Sequence, residues 1–339
     1  MLGRLIGRVR WREVIYIEAI GMRTATAVVL PFFIGQAVGQ AAVGLMIGLA
    51  GLYTCIADKG GAGWRTLLAT AAGISVAAFV GTLVSPYPAL AIPAMFAFTF
   101  LLGLTALAGE PAGNAGLAIT LAFAVAVGLS PLTPSNTEWP RMAEFAAGGV
   151  WTTLLTVQFW RIVGRTDYPI PPPNGYGREF RSAQSKLVWR NPMVRHALRL
   201  AVIATTAASL YKGLRLEHGY WLIVTVLVIL KPDWAATRQR AGERVAGSLI
   251  GGVIGIILSV LVRNIFILDA LLFLFCLLAF SHSPRNYRLY VLFLTPFVVL
   301  MINIAAPGNW RIAVTRIGYN LAGGALALLV GYIVRERRS

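Results

Sequence analysis

The chain has 339 residues, 57% of them hydrophobic and only 13% charged, with a mean hydropathy of +0.71. That leaves too little polar surface to coat a soluble globule of this size, so the composition specifies an integral membrane protein. Lys and Arg outnumber Asp and Glu by 30 to 13, a net charge of +17; the aromatics lie inside apolar runs and no nucleic-acid module is visible, so the excess is assigned to membrane topology and not to DNA or RNA.

In chain order, MLGRLIGRVRWREV is basic and too broken by arginine to be the core of a signal peptide, so the chain is expected to start in the cytoplasm. Apolar runs that approach the length needed to cross ~30 Å of hydrocarbon follow. They lie roughly at 19–38, 41–57, 66–84, 88–107, 113–131 and 143–163. Next comes GRTDYPIPPPNGYGREFRSAQSKLVWRNP, the one long polar stretch, expected to be extended where proline-rich and to form a short basic surface helix over REFRSAQSKLVWR. Six more runs follow roughly at 194–211, 218–231, 245–262, 264–280, 288–305 and 312–334. The reading is an all-α integral membrane fold of about twelve transmembrane helices: a first six-helix repeat over 1–165, a cytoplasmic linker over 166–192 and a second six-helix repeat over 193–339.

Sorting the basic residues by side predicts both termini in the cytoplasm. Only Arg141, Lys212, Arg215, Arg263 and Arg311 fall in outer segments, whereas the amino-terminal arginines, Lys59, Arg65, the linker, Lys231 to Arg244, Arg285, Arg288 and the carboxyl-terminal arginines fall inside. Three anchors align the halves. Arg23 in GMRTATAVV matches Arg199 in ALRLAVIA, Asp58 matches Asp233, and AAGGV at Ala146–Val150 matches LAGGA at Leu321–Ala325, a register that also pairs Arg141 with Arg316. An even number of spans per half gives parallel repeats about an axis along the membrane normal.

The densest polar cassette is GYWLIVTVLVILKPDWAATRQRAGERVAG, Gly219 to Gly247. Pro232 is expected to end one span at Lys231 and Asp233 to cap the next, with Arg238, Arg240, Glu243 and Arg244 on one or two faces of the new helix. Asp58 and Arg65 form a fainter copy, Arg65 corresponding to Arg240 or, with one inserted turn, to Arg244. One reading is a charged inner loop that caps a helix and anchors to headgroups; the other is a gate or anion site.

Arg23 and Arg199 lie near inner helix ends, Arg141 and Arg316 near outer ends. They either snorkel to headgroups or line an anion pathway, because guanidinium binds carboxylate through paired hydrogen bonds. Glu144 and Asp269 are the proton-coupling candidates, with His218 in a nearby outer loop; an Asp269–Arg263 pair is the simpler alternative. Pro31, Pro93 and Pro296 interrupt spans, and the glycine pairs at 148–149, 251–252 and 323–324 suggest close helix packing. Trp139, Tyr220, Trp221, Trp234 and Trp310 are read as interface belts. Cys55 and Cys276 fall in apolar segments as small core residues. With no metal-ligand spacing and no nucleophile motif, neither an enzyme nor a metal or other cofactor is predicted.

The segment HGYWLIVTVLVILKPDWAATRQRAGERVAGSLIGG resembles the signature of the fusaric acid resistance (FUSC) family, related to bacterial aromatic acid exporters and more distantly to plant malate-type anion channels. The resemblance is strongest over roughly 195–262 and weaker over the first half. Members often carry sizeable cytoplasmic domains after each membrane half, where this chain has the linker and a short RERRS tail. The resemblance implies an inner-membrane exporter of small organic anions, foremost aromatic carboxylic acids or related weak acids, driven by the proton gradient or the membrane potential. A homodimer and a membrane-fusion subunit are the protein partners it admits. A passive anion channel, favoured by the scarcity of carboxylates within spans, and a non-transporting envelope or lipid-handling component are the alternatives.

Overall fold

The computed structural model describes residues 11–58, 63–129, 137–163, 183, 185–283, 286–305 and 311–336. Lys59, Arg285, Trp310 and residues 178–182 and 184 of the expected linker helix lie outside these residues, and the described residues 186–190 of that helix are turn and irregular backbone instead. The described residues are all-α, without a strand. The first half contains α1 (Trp11–Ala37), α2 (Ala41–Ala57), α3 (Trp64–Val84), α4 (Pro88–Gly103, prolonged by a 3-10 turn over Leu104–Ala108), α5 (Glu110–Leu129) and α6 (Glu138–Val163). The second contains α7 (Pro192–Gly213), α8 (Tyr220–Ile229), α9 (Trp234–Leu261), α10 (Ile265–His282), α11 (Tyr287–Ala305) and α12 (Arg311–Glu336).

Eight of these helices are long and apolar enough to cross a membrane: α1, α3, α4 with its 3-10 extension, α5 and α9 through α12. The expected count of twelve is thereby qualified, for reasons that are local. Charged residues such as Arg141, Glu144, Arg195 and Arg199 dilute the hydropathy of α6 and α7, and α2 has 17 residues. Helix α8 has only 10 residues. At ~1.5 Å per residue it rises about 15 Å, half the hydrocarbon thickness. It stops because Leu230 turns extended ahead of Lys231 and Pro232, where helix is disfavoured. The next helix starts at once, its amino terminus capped by the Asp233 carboxylate, which accepts from the Ala236 N–H at 2.9 Å. Helices α1, α6 and α9 all begin well before their apolar runs, since hydropathy marks only the part of a helix that lies in lipid.

In the first half α1 packs on α2, α3 on α5 and α6, α2 on α5 and α6, and α4 on α5. In the second, α7 packs on α8, α9 on α11 and α12, α8 on α12, and α10 on α11. The halves meet where α1 lies against α10, α4 against α7 and α5 against α8. Gly148 of α6 approaches the Ile47 carbonyl of α2, and Gly323 of α12 approaches the Leu222 carbonyl of α8, so each glycine admits a backbone where a side chain would not fit. Pro31, Pro93 and Pro296 each lie inside a helix. One apolar core joins residues of both halves, among them Ile74, Phe123, Ile203 and Ile223; a second links Val28 and Phe32 to Leu272 and Phe297.

Candidate functional site

Three polar places stand out in the bundle. The first joins Arg23, in the body of α1, to Asp58, the residue that ends α2. The two charged groups are in contact, the side chains are each 1% exposed, and Arg23 Nη2 also donates to the Asp58 carbonyl at 3.3 Å. The Trp160 ring of α6 lies 5.8 Å from the guanidinium carbon. The two opposite charges offset each other inside the bundle.

The second place is a cavity of about 300 Å³ at the α8–α9 connection, lined by Arg199 of α7, by Lys231, Pro232, Asp233 and Trp234, and by Val330 and Gly331 of α12. Arg199 Nε donates to the Arg195 carbonyl at 3.2 Å.

The third involves Arg244 of α9 and Arg316 of α12, 4% and 8% exposed. The Arg316 guanidinium lies 5.3 Å from the Trp221 ring, and Arg244, Tyr53, Tyr220 and Tyr290 are within its electrostatic reach. Tyr53 in turn stacks on Phe145, ring centroids 6.3 Å apart. Neither arginine's Nε meets a hydrogen-bond acceptor, and neither pairs with a carboxylate, among the described residues. One turn along the same helices, Thr225 donates to Asn320 Oδ1 at 2.7 Å and Asn320 Nδ2 donates to Ser248 at 3.1 Å, all three buried. This network fixes α8, α9 and α12 relative to one another and so sets the spacing of Trp221, Arg244 and Arg316.

Two buried guanidiniums within electrostatic reach of each other repel in a medium of low dielectric, and leaving them uncompensated at membrane depth costs a few kcal/mol or more. An anion beside them offsets that cost. The surrounding rings offer faces to a cation or to an aromatic body.

Other residues singled out from the sequence lie elsewhere. Arg65 is exposed and rests on Trp64, apart from Asp58, so the fainter Asp–Arg copy is not an ion pair. Asp58 pairs instead with Arg23, which sequence spacing had put in a separate group. Arg238 is exposed, and Arg240 stacks on Tyr287 with its guanidinium carbon 4.0 Å from the ring centre. Arg141 faces Glu144 one turn along α6, at 3.8 Å. Asp269 accepts from Gln36 at 3.2 Å rather than from Arg263. Tyr220 and Trp221, expected in an interface belt, are 7% and 4% exposed, inside the bundle, whereas Trp139 is exposed. The sequence marks Lys231 as a span end and an inner charge but not as a site residue, and Tyr53, Tyr290 and the Thr225–Asn320–Ser248 network escaped sequence reasoning. Asn320 could have been found, as an amide within an apolar run beside a glycine pair.

Residues 202–330, which contain the whole α8–α9–α12 site, match the family described as fusaric acid resistance protein-like. The second half of the chain is FUSC-like. The relatives align over a similar length. Inner membrane protein YccS of Escherichia coli (strain K12) is 30% identical over 142 residues, 42% of this chain and 20% of that protein. A Neisseria gonorrhoeae protein, ORF2, is 25% identical over 155 residues, 44% of this chain and 37% of its own length. A Haemophilus influenzae protein is 25% identical over 143 residues, 42% of this chain and 20% of its own. The aligned stretch of the chain thus covers well under half the length of each of these relatives. No solved structure matches it.

Proposed function

We propose that this FUSC-like membrane protein exports small organic anions, aromatic carboxylates foremost, with Arg244 and Arg316 holding the carboxylate and the neighbouring rings the body of the cargo. The observation that carries this reading is the pair of buried guanidiniums within electrostatic reach of each other and of three tyrosines, with Trp221 beside Arg316 and no carboxylate partner among the described residues. Charge-assisted, bidentate recognition suits arginine better than any other side chain.

The reading includes two parallel six-helix repeats and cytoplasmic termini. The matching helix pairings of the halves support the repeats, as do the Gly148–Ile47 and Gly323–Leu222 approaches, which fall in the register of Asp58 with Asp233. In this orientation the cavity at Arg199 faces the cytoplasm, and an inside-negative potential favours anion exit by ~2.3 kcal/mol per charge per 100 mV. Passive conduction is the second reading. It is favoured by the two candidate coupling carboxylates, since Asp269 is bonded to Gln36 and Glu144 faces Arg141, both outside the arginine site.

Proteoliposomes loaded with benzoate, malate or chloride test both readings, with and without a pH gradient. Export predicts benzoate flux that falls by about tenfold or more in Arg244→Gln and Arg316→Gln, the equivalent of losing ~1.4 kcal/mol or more of charged hydrogen bonding. Absence of flux for every anion, or flux unchanged in both variants, refutes it. Currents that reverse at the anion equilibrium potential regardless of pH gradient select the channel.

A further inference from the structure

The two halves surround an equivalent arginine differently. In the register that pairs Arg141 with Arg316, Glu144 corresponds to Tyr319. On α6 the Glu144 carboxylate stands one turn from Arg141, 3.8 Å from its Nε. On α12 the same turn carries a phenol that is committed elsewhere. The Tyr319 hydroxyl donates to the Glu217 carbonyl at 2.7 Å, and its ring meets Trp221 edge-on with centroids 6.4 Å apart. The neighbouring helices differ as well. Helix α3, which packs on α6 as α9 packs on α12, has no charged residue beyond Arg65 in its first turn, whereas α9 brings in Arg244. One arginine facing a glutamate in the first half thus becomes, in the second, two buried arginines that pair with no carboxylate among the described residues.

Helices α9 and α12 run antiparallel, since Asn320 bonds Ser248, Gly324 abuts Val245 and Gly331 abuts Trp234. Arg244 precedes Ser248 by one turn and Arg316 precedes Asn320 by one turn, so the two arginines are rooted on opposite sides of that bond. At ~1.5 Å of rise per residue, their backbone positions are about 12 Å apart along the helix axes. Their guanidiniums nonetheless stay within electrostatic reach of each other. Two forks of donors rooted at different levels suit two anionic groups better than one. A singly charged ligand leaves one positive charge uncompensated in a medium of low dielectric, whereas a ligand with two carboxylates offsets both.

We propose that the Arg244–Arg316 site selects dianions, foremost compact ring dicarboxylates: each guanidinium takes one carboxylate, and Tyr319, standing where the first half has Glu144, keeps the site doubly positive. Selectivity in transport rests on the export reading, whereas the preference in binding does not. Benzoate remains a ligand, but the weaker one, because it offsets one guanidinium and leaves the other.

The test uses the full chain in phosphatidylcholine nanodiscs, titrated calorimetrically with benzoate and with benzene-1,4-dicarboxylate at about pH 7.5, where the ligand carboxyls are ionised. The dicarboxylate should bind about tenfold or more tightly than benzoate. Arg244→Gln and Arg316→Gln should each erase that preference, because either change leaves a single cation. Tyr319→Glu, which recreates on α12 the arrangement of Arg141 with Glu144, should reverse it in favour of benzoate. Tyr319→Gln loses the same ring and hydroxyl without adding charge and should keep it, so the contrast between these two variants reads charge and not packing. Equal or tighter binding of benzoate by the unmodified protein overturns the assignment. So does a preference that survives both arginine changes, or one that shifts equally in Tyr319→Glu and Tyr319→Gln. Export of the two anions from proteoliposomes separates this assignment from the one it extends. A dicarboxylate preference in binding without export of either anion refutes the export reading alone; export of both anions without a preference in binding refutes dianion selectivity alone.

Discussion

Arg23 and Asp58 meet on adjacent helices with their charged groups in contact and both side chains almost wholly removed from solvent. A buried pair of this kind contributes little relative to a well-packed apolar pair, but removing one partner strands the other. Arg23→Gln and Asp58→Asn are therefore expected to lower stability by about 3–5 kcal/mol each, and the double change to Arg23→Met with Asp58→Leu to recover much of the loss. Thermal unfolding of the detergent-solubilised protein checks this. Additive losses in the double variant would mean that the two charges act independently.

Arg316 lies over Trp221 with its Nε unbonded among the described residues. Lysine keeps the charge but loses both the planar stack and the paired donors, so Arg316→Lys is predicted to retain insertion and folding while cutting benzoate flux by about tenfold. Chloride, which needs no paired donors, should be less affected. Equal losses for the two anions would point to a role in charge alone.

Asn320 donates to Ser248 and accepts from Thr225, and all three are buried. Replacing Asn320 with Ala leaves two hydroxyls to find other partners inside the bundle, at a cost of about 1–3 kcal/mol. Because the network ties α8, α9 and α12 together one turn from the arginines, flux should fall as well. Thr225→Val together with Asn320→Leu, which removes adjoining polar groups together, should be milder in melting temperature than Asn320→Ala yet equally poor in flux. A melting loss without any change in flux would confine the network to packing.

Much of this fold was written in hydropathy and in single residues. The apolar runs located every helix, Pro232 and Asp233 marked the α8–α9 break, and the spacing of the glycine pairs anticipated the close approaches at Gly148 and Gly323. Hydropathy could not say where a helix ends outside lipid, so α1, α6 and α9 start earlier than their runs. It also read α8 as a span, although its ten residues cover only half of one. The candidate site was less legible because its parts are brought together by tertiary packing. Arg23 and Asp58 are on different helices, and Tyr53 reaches the arginine site from the other half of the chain. Tyr220 and Trp221 sit at an apolar-run boundary, where a sequence shows an interface belt and only the neighbouring helices reveal burial.

His218, in the connection between α7 and α8, stacks on Trp221 with ring centroids 5.1 Å apart and planes 25° from parallel. Partial burial lowers the pKa of its imidazole below the ordinary 6.5, with Glu217 pulling weakly the other way. The sign follows from proton linkage. The unfolded chain takes up the proton first as the pH falls, so this group makes no difference above about pH 7.5 and subtracts stability as the pH drops through 6.5 toward the lowered value, after which the loss levels off. Melting temperatures measured from about pH 8 down to about pH 5 should fall more steeply in the unmodified protein than in His218→Gln, which keeps a side chain in the left-handed backbone conformation found there, φ 57°, but cannot titrate. Since Trp221 carries Arg316 near its ring as well, a charged imidazole also places a second cation beside one indole, and benzoate flux should become more pH-sensitive in the unmodified protein than in the glutamine variant. Identical pH profiles for the two proteins, in melting and in flux, would remove His218 from both roles.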